Sequence, residues 1–355
     1  MKNLARWIAL TVVCSGLSTP SVAQVFEDHG DGDPPYRLFV PPGLDATRPA
    51  PLVVMLHGCK QDAKEFAEVT EMNDLAAADG FVVLYPEQRA HPINCWRWYE
   101  PEQQQRGQGE PSAIVDLVVQ VGQRPDLNID PGRIYVAGLS AGAAMAAILG
   151  ANYPEVFAAV GLAAGVPYGA ADGCLSALNA MERIYARMPG AVVDYVKAYW
   201  TCVLGGAFNP LLSPVPKPDA LGEKAHVAME LRARVLPVIV FQGSADQRVY
   251  PENGIDMVGQ WAQANDLASD GLDNDDIDSV AEHETQGGQP GGHPYSEKIY
   301  RDSQGRDVIA FYAIDGMAHA WPGGAADRPY SDPAGPEASR LIWAFFAAHP
   351  KPTTP

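Results

Sequence analysis

Ser140 sits at the centre of Gly138-Leu139-Ser140-Ala141-Gly142, a G-x-S-x-G pentapeptide. Residues 133–138 (RIYVAG) before it read as a buried strand, and 141–151 after it as a helix of small residues. A serine at such a sharp strand-to-helix turn is held in strained backbone geometry with its hydroxyl exposed. The flanking glycines answer the crowding between strand and helix. The N-terminus of that helix aims backbone N–H groups at a reacting carbonyl. The chemistry implied is nucleophilic attack; the plainer alternative is a structural turn.

A serine hydroxyl needs a base, and the base needs an orienting acid. Around turns of this kind the chain order is nucleophile, acid, histidine. Five histidines follow Ser140: His226, His283, His293, His319 and His349. His226 falls in a predicted helix, His283 and His293 in a polar stretch, and His349 in the terminal helix. His319 follows the strand-like run 307–314 (DVIAFYAI), in a loop bounded by Gly316 and Gly323. That is where a base would be presented. Strand 235–242 (VLPVIVFQ) leads into Gly243-Ser244-Ala245-Asp246. Asp246 thus lies just past the carboxyl end of a strand, where ligand sites of open sheets collect. Glu252 and Asp315 are its rivals. Two N–H donors must stabilise the oxyanion. Ala141, directly after the serine, is one candidate. Cys59, in the His57-Gly58-Cys59-Lys60 loop after an earlier strand, is the other.

The elements that must hold these residues alternate. Strands are predicted at 36–41, 51–57, 81–86, 133–138, 157–163, 235–242 and 307–314, and helices at 64–79, 111–123, 141–151 and 336–348. Short, nearly continuous apolar runs separated by helices indicate a parallel sheet covered on both faces, an α/β fold. Residues 166–232 hold two or three helices, read as an insertion over one end of the sheet. The Gly- and Asp-rich stretch 264–294 reads as a long surface loop.

The 355 residues carry 47% hydrophobic and 19% charged residues, enough to bury a substantial core. Lys2 and Arg6, an apolar run to Leu17, and Ser21-Val22-Ala23 form a secretory signal peptide over residues 1–23. One catalytic domain is expected over 24–350 and a Pro/Thr tail over 351–355. No other segment is apolar for long enough to span a bilayer, so no membrane partner is expected. Four cysteines follow the leader: Cys59, Cys95, Cys174 and Cys202. An even count in an exported chain suggests two disulfides. Sequence allows three pairings, and proximity favours Cys59–Cys95 with Cys174–Cys202. The net charge of −18, more negative still without the leader, repels nucleic-acid phosphate and anionic lipid. A monomer is expected.

The runs LHGCKQDAKEF (56–66), DGFVVLYPEQ (79–88), NCWRWYEPEQQQRGQGE (94–110), DPGRIYVAGLSAGAAM (130–145), YPEVFAAVGLAAGVPYG (153–169), QGSADQRVYPENG (242–254) and GMAHAWPGG (316–324) resemble the secreted poly(3-hydroxybutyrate) depolymerase-type esterases. The resemblance covers most of residues 36–345. It implies an α/β-hydrolase fold: a mostly parallel central sheet with helices on both faces and a helical insertion. It further implies a Ser140, Asp246, His319 triad, with the second oxyanion donor on Cys59. The reaction implied is two-step hydrolysis of a carboxylic ester through an acyl-enzyme, with no cofactor and no metal. Short-chain hydroxyalkanoate polyester or its oligomers are the expected substrates. Feruloyl and acetyl-xylan esterases belong to the same wider group, so removal of feruloyl or acetyl groups from plant polysaccharide is the alternative. A non-catalytic binding protein on the same scaffold is the third reading, and the intact Ser, Asp and His set argues against it. Extracellular depolymerases of this type usually carry a separate polymer-binding module after the catalytic domain. The sequence instead ends in its Pro/Thr tail, so weaker attack on solid polyester than on oligomers is expected.

Trp96, Trp98 and Trp321, with Tyr99, are expected to form an apolar platform for substrate, or else to pack loops over the core. The acidic stretch with Asp266, Asp270, Asp273, Asp275, Asp276 and Asp278 reads as solvated loop rather than a calcium site. It lacks the central glycine and terminal glutamate of an EF-hand.

Overall fold

The structure, a computed structural model, describes residues 25–188, 190, 193, 196, 197, 199, 200, 202 and 214–351. The expected leader and residues 352–355 of the tail lie outside the described residues.

From the N-terminus, β1 (Val25–His29) and β2 (Tyr36–Val40) precede β3 (Ala50–Leu56), whose seven residues are all buried. Helices α1 (Ala63–Thr70) and α2 (Met72–Asp79) lead to β4 (Val82–Pro86). Then come α3 (Gly109–Gly122), β5 (Ile129–Leu139), α4 (Ala141–Asn152), β6 (Val160–Ala163) and α5 (Cys174–Glu182). The chain continues through α6 (Pro218–Met229), β7 (Val238–Gly243) and α7 (Glu252–Asp270). It closes with β8 (His283–Gly287), β9 (Tyr295–Arg301), β10 (Asp307–Ile314), the short parallel pair β11 (Trp321–Pro322) and β12 (Ser331–Asp332), and α8 (Ala338–Ala348).

One ten-stranded sheet runs in the order β1-β2-β4-β3-β5-β6-β7-β10-β9-β8. The six central strands, β4 to β10, are parallel, and both edges are antiparallel. Side chains alternate between the two faces of each strand. In β3, Leu52, Val54 and Leu56 enter one core, and Val53 and Met55 the other. Ile114 and Val118 of α3, the alanines of α4 and Trp261 of α7 complete the first core. Phe66 of α1, Ala76 of α2, and Ile342 and Phe346 of α8 complete the second. A sheet buried on both faces explains why its central strands read as unbroken apolar runs. This is the α/β-hydrolase fold. No described helix is long and apolar enough to cross a membrane.

Several sequence expectations are corrected. The helix expected over 64–79 is two helices, because Glu71 takes a left-handed conformation (φ 51°), ends α1 and opens α2. Residues 264–270 are the last turns of α7, and 283–287 form β8, so the expected loop is shorter on both sides. Asp266 does not face solvent. It is buried, and its carboxylate accepts the N–H groups of Asn274, Asp275 and Ile277, folding the chain back after α7. Edge strands β1, β8 and β9 have no counterpart in the sequence reading; β8 is polar along its length (HETQG), without the apolar alternation that marks a half-buried strand. The disulfides pair Cys59 with Cys95 and Cys174 with Cys202.

Candidate active site

The parallel strands β3, β5 and β7, and β10 beside them, end on one edge of the sheet, and the loops that follow them carry the reactive side chains. Between β5 and α4, Ser140 adopts φ 58° and ψ −120°, a conformation that strains any residue with a Cβ. Its N–H donates to the Ala163 carbonyl at 2.9 Å, so the next strand holds the turn. The glycines on either side are required by close approach. A Cβ on Gly138 would lie 2.4 Å from the Gly142 backbone, and one on Gly142 would lie 2.0 Å from the Leu56 carbonyl oxygen. Every residue of α4 is buried, which packs its N-terminus under the serine.

The loop after β3 is held from several directions. His57 is completely buried, and its Nε2 lies 3.0 Å from the Gln88 N–H. An amide can only donate, so Nε2 is the acceptor, and Nδ1 carries the proton it gives to the Gly58 carbonyl at 2.8 Å. Burial pushes the His57 pKa below its ordinary value, which keeps the ring in the neutral form this arrangement needs. The His57 carbonyl accepts the Trp96 indole N–H at 3.0 Å, the Gly58 N–H donates to Gln61, and the Lys60 N–H donates to Ile93. The disulfide to Cys95 ties the next residue down. Immediately beyond, Asp62 and Glu65 form a capping box that starts α1. Neither the Cys59 N–H nor the Ala141 N–H has an acceptor among the described residues. Both residues line the cavity that contains Ser140.

After β7, Asp246 is 2% exposed. One carboxylate oxygen accepts the N–H groups of Arg248 and Val249 at 2.8 and 2.9 Å. The other accepts the Nδ1–H of His319 at 2.7 Å. The two loops meet because Gly243 leaves room for the Met317 carbonyl, which a Cβ would approach to 2.3 Å. The Ala245 N–H then donates to that same carbonyl. The His319 side chain is only 9% exposed, and it lines the same cleft as Ser140. The rival acids stand elsewhere: Asp315 accepts the Ser244 hydroxyl, and Glu252 opens α7. His293 pairs with Asp332, and His349 bridges the Phe345 and Asp307 carbonyls.

Two spaces adjoin Ser140. One is a cavity of about 200 Å³ lined mainly by apolar side chains, among them Ile93, Trp98, Tyr99, Val166, Leu178 and Met181. The other is a polar cleft of about 570 Å³ that also contains His319. Of the three tryptophans expected to meet substrate, Trp98 lines the cavity. Trp96 and Trp321 do not line either space. Trp96 is 1% exposed and supports the His57 carbonyl. Trp321 is fully buried, packs edge-on against Phe66 and donates to Ser339. Each indole combines a large apolar body with one polar contact, as a core residue does.

Sequence reasoning missed Leu178 and Met181 of the insertion, although their i, i+3 spacing on a predicted helix was a usable sign. It also missed Glu110. This half-buried carboxylate, raised above its ordinary pKa by burial, accepts from Gln88 and from the Arg97 N–H. It thereby ties Gln88, at the start of the loop, to Arg97, which stands between Trp96 and Trp98. Among the described residues, no group of three or more His, Cys, Asp or Glu side chains converges to hold a metal.

A family model for the esterase PHB depolymerases matches residues 35–201. Poly(3-hydroxyalkanoate) depolymerase C of Paucimonas lemoignei is 32% identical over 327 residues, covering 90% of this chain and 67% of that protein. Feruloyl esterase B of Thermothelomyces thermophilus is 32% identical over 178 residues, covering 50% of this chain and 59% of that protein. Among solved structures, an acetyl xylan esterase from Aspergillus awamori superposes with a TM-score of 0.63 over 92% of this chain and 98% of that one. At 18% identity that likeness speaks for the fold alone.

Proposed function

Since the chain belongs to the PHB depolymerase esterase family and is a carboxylic ester hydrolase, we propose that it cleaves short-chain polyhydroxyalkanoate polyester or its oligomers. Ser140 is the nucleophile. His319 takes the hydroxyl proton as the Ser140 oxygen bonds to the ester carbon. The tetrahedral oxyanion lies between the Cys59 and Ala141 N–H groups, each such donor contributing about 3–4 kcal/mol to the transition state. His319 then returns the proton to the departing alcohol oxygen, leaving an acyl group on Ser140. Water, deprotonated by the same imidazole, releases the acid in the second step. Asp246 fixes the tautomer of His319 and stabilises the imidazolium that forms twice per cycle. Every group in the cycle is a side chain or backbone amide, so no cofactor enters.

The observation that carries this reading is the 2.7 Å Asp246–His319 hydrogen bond, set in a cleft that also contains Ser140. The small apolar cavity supports a short acyl unit. Its volume falls below the roughly 300–1,000 Å³ typical of sites for drug-sized ligands. The aromatic pair Trp98 and Tyr99 on its wall favours a second reading, hydrolysis of feruloyl esters. The two disulfides support action in an oxidising, extracytoplasmic compartment, reached through the leader at 1–23. The test is side-by-side hydrolysis of polyhydroxybutyrate film, soluble hydroxybutyrate oligomers, methyl ferulate and acetylated xylan. The expected result is oligomers first, and activity on ferulate alone rejects the proposal.

A further inference from the structure

The chain carries 43 acidic and 25 basic residues, yet the polar cleft beside Ser140 is lined by four cations, Lys60, Arg187, Lys197 and Arg248, and one acid, Glu182. Most described basic side chains elsewhere are committed to carboxylates, as Arg124 is to Glu27 and Asp126, and Arg183 to Asp256. Lys60 and Arg248 are different. Both are exposed, and neither has a carboxylate within ion-pair distance among the described residues. Arg187 also stacks over Tyr250, 4.7 Å from the ring centroid, which holds it along the same wall. An acidic surface repels anions in general, and a local reversal of sign at the cleft mouth draws one in at that point.

The position of the cations relative to the chemistry says which half of the ester they meet. The alcohol oxygen departs towards the group that protonates it, and His319 lines the cationic cleft. The acyl half then occupies the apolar cavity that adjoins the cleft at Ser140. We propose that the cleft recognises a free carboxylate on the alcohol half of the ester, so that the enzyme prefers hydroxy-acid oligomers cut at the bond nearest their carboxyl end. This rests on the polyester reading above. In that step the Ser140 oxygen–carbon bond forms and the carbon–alkoxy bond breaks. The leaving oxygen takes the proton from His319, and the released hydroxy acid keeps its own carboxylate against Lys60 and Arg248.

The test compares kcat/KM on a hydroxybutyrate trimer with a free carboxyl end and on its methyl ester. The free acid is expected to be cleaved about tenfold better, the size of one hydrogen bond to a charged group. The ratio is expected to fall towards one in about 1 M salt, where the screening length is about 3 Å. It is expected to fall likewise in the Lys60→Gln, Arg248→Gln double variant and to persist in Lys60→Arg, Arg248→Lys, which separates loss of charge from misfolding. Equal rates on acid and methyl ester in the unmodified enzyme overturn the inference and leave the polyester reading standing. A preference shown instead for acetylated xylan carrying uronic acids over xylan without them overturns the hydroxy-acid assignment. Failure to cleave either trimer, with methyl ferulate turned over, overturns the polyester reading and the inference with it.

Discussion

Two histidines sit on loops that meet at Ser140, and they are built in opposite ways. His57 is completely buried, and its ring bonds only to backbone, the Gly58 carbonyl and the Gln88 N–H. His319 opens on the cleft, and its Nδ1 bonds to the carboxylate of Asp246. The first environment disfavours charge, because burial holds the ring's pKa below its ordinary value. The second sets a buried carboxylate within hydrogen-bond distance of the ring. In the proposed mechanism one residue type thus serves both as a fixed spacer under the oxyanion loop and as a proton carrier above the nucleophile. The neighbours decide which: buried backbone groups around His57, a carboxylate at Nδ1 of His319.

The largest effects belong to the His319 side of this contrast. His319→Ala is expected to lower kcat by about 10⁶ while leaving the fold intact, since members of such a unit fail together. Thermal unfolding monitored beside the rate separates the two outcomes. A residual rate within tenfold of normal would break the comparison by making His319 as structural as His57. Asp246→Asn comes next, at about 10⁴ in kcat, because an amide leaves the imidazole in the wrong tautomer. Its KM on a soluble oligomer should hardly move.

His57→Leu probes the neutral side. It strands the Gln88 N–H and the Gly58 carbonyl in a buried site, which costs about 1–3 kcal/mol each. The oxyanion loop then shifts, and kcat falls by about 10²–10³, the value of one misplaced donor. The distinguishing readout is a lower melting temperature together with the lower kcat, where His319→Ala shows the kcat loss alone.

How far the sequence carried depended on whether function or packing chose the residue. Ser140, Asp246 and His319 stood out as candidates because each follows a strand, and glycine marks the crowded turns around Ser140 and His319. The parallel core strands were legible because burial on both faces leaves an unbroken apolar run. The edge strands β8 and β9 were not, because one face meets water and their composition matches a loop. Trp96 and Trp321 misled because a tryptophan under a loop and one facing substrate share a composition. The hydrogen bonds to His57 and Ser339 that separate them are tertiary. Asp266 misled for the same reason. A carboxylate that closes a turn through three backbone N–H groups looks, in sequence, like its solvated neighbours.

The smallest expected effect is the pH dependence that follows from the neutrality of His57. Its pKa in the folded state lies below the unfolded value of 6.5. Above pH 6.5 neither state binds a proton there, so its contribution to stability is complete. As pH falls through 6.5 the unfolded chain takes up a proton that the folded chain refuses, and stability drops by up to about 1.4 kcal/mol per pH unit. Denaturant unfolding at successive pH values should show this slope in the native sequence and lose that share of it in His57→Leu. An identical slope in both would remove the distinction drawn between the two histidines.

The nucleophilic role of Ser140 is the claim on which the rest depends, and trapping the acyl-enzyme tests it most directly. The protein would be mixed with a slowly released ester, quenched in acid, digested and analysed by peptide mass. The expected result is one acyl group on the peptide containing Ser140, absent in Ser140→Ala and strongly reduced in His319→Ala. An acyl group on another residue, or full turnover by Ser140→Ala with no adduct, would contradict it.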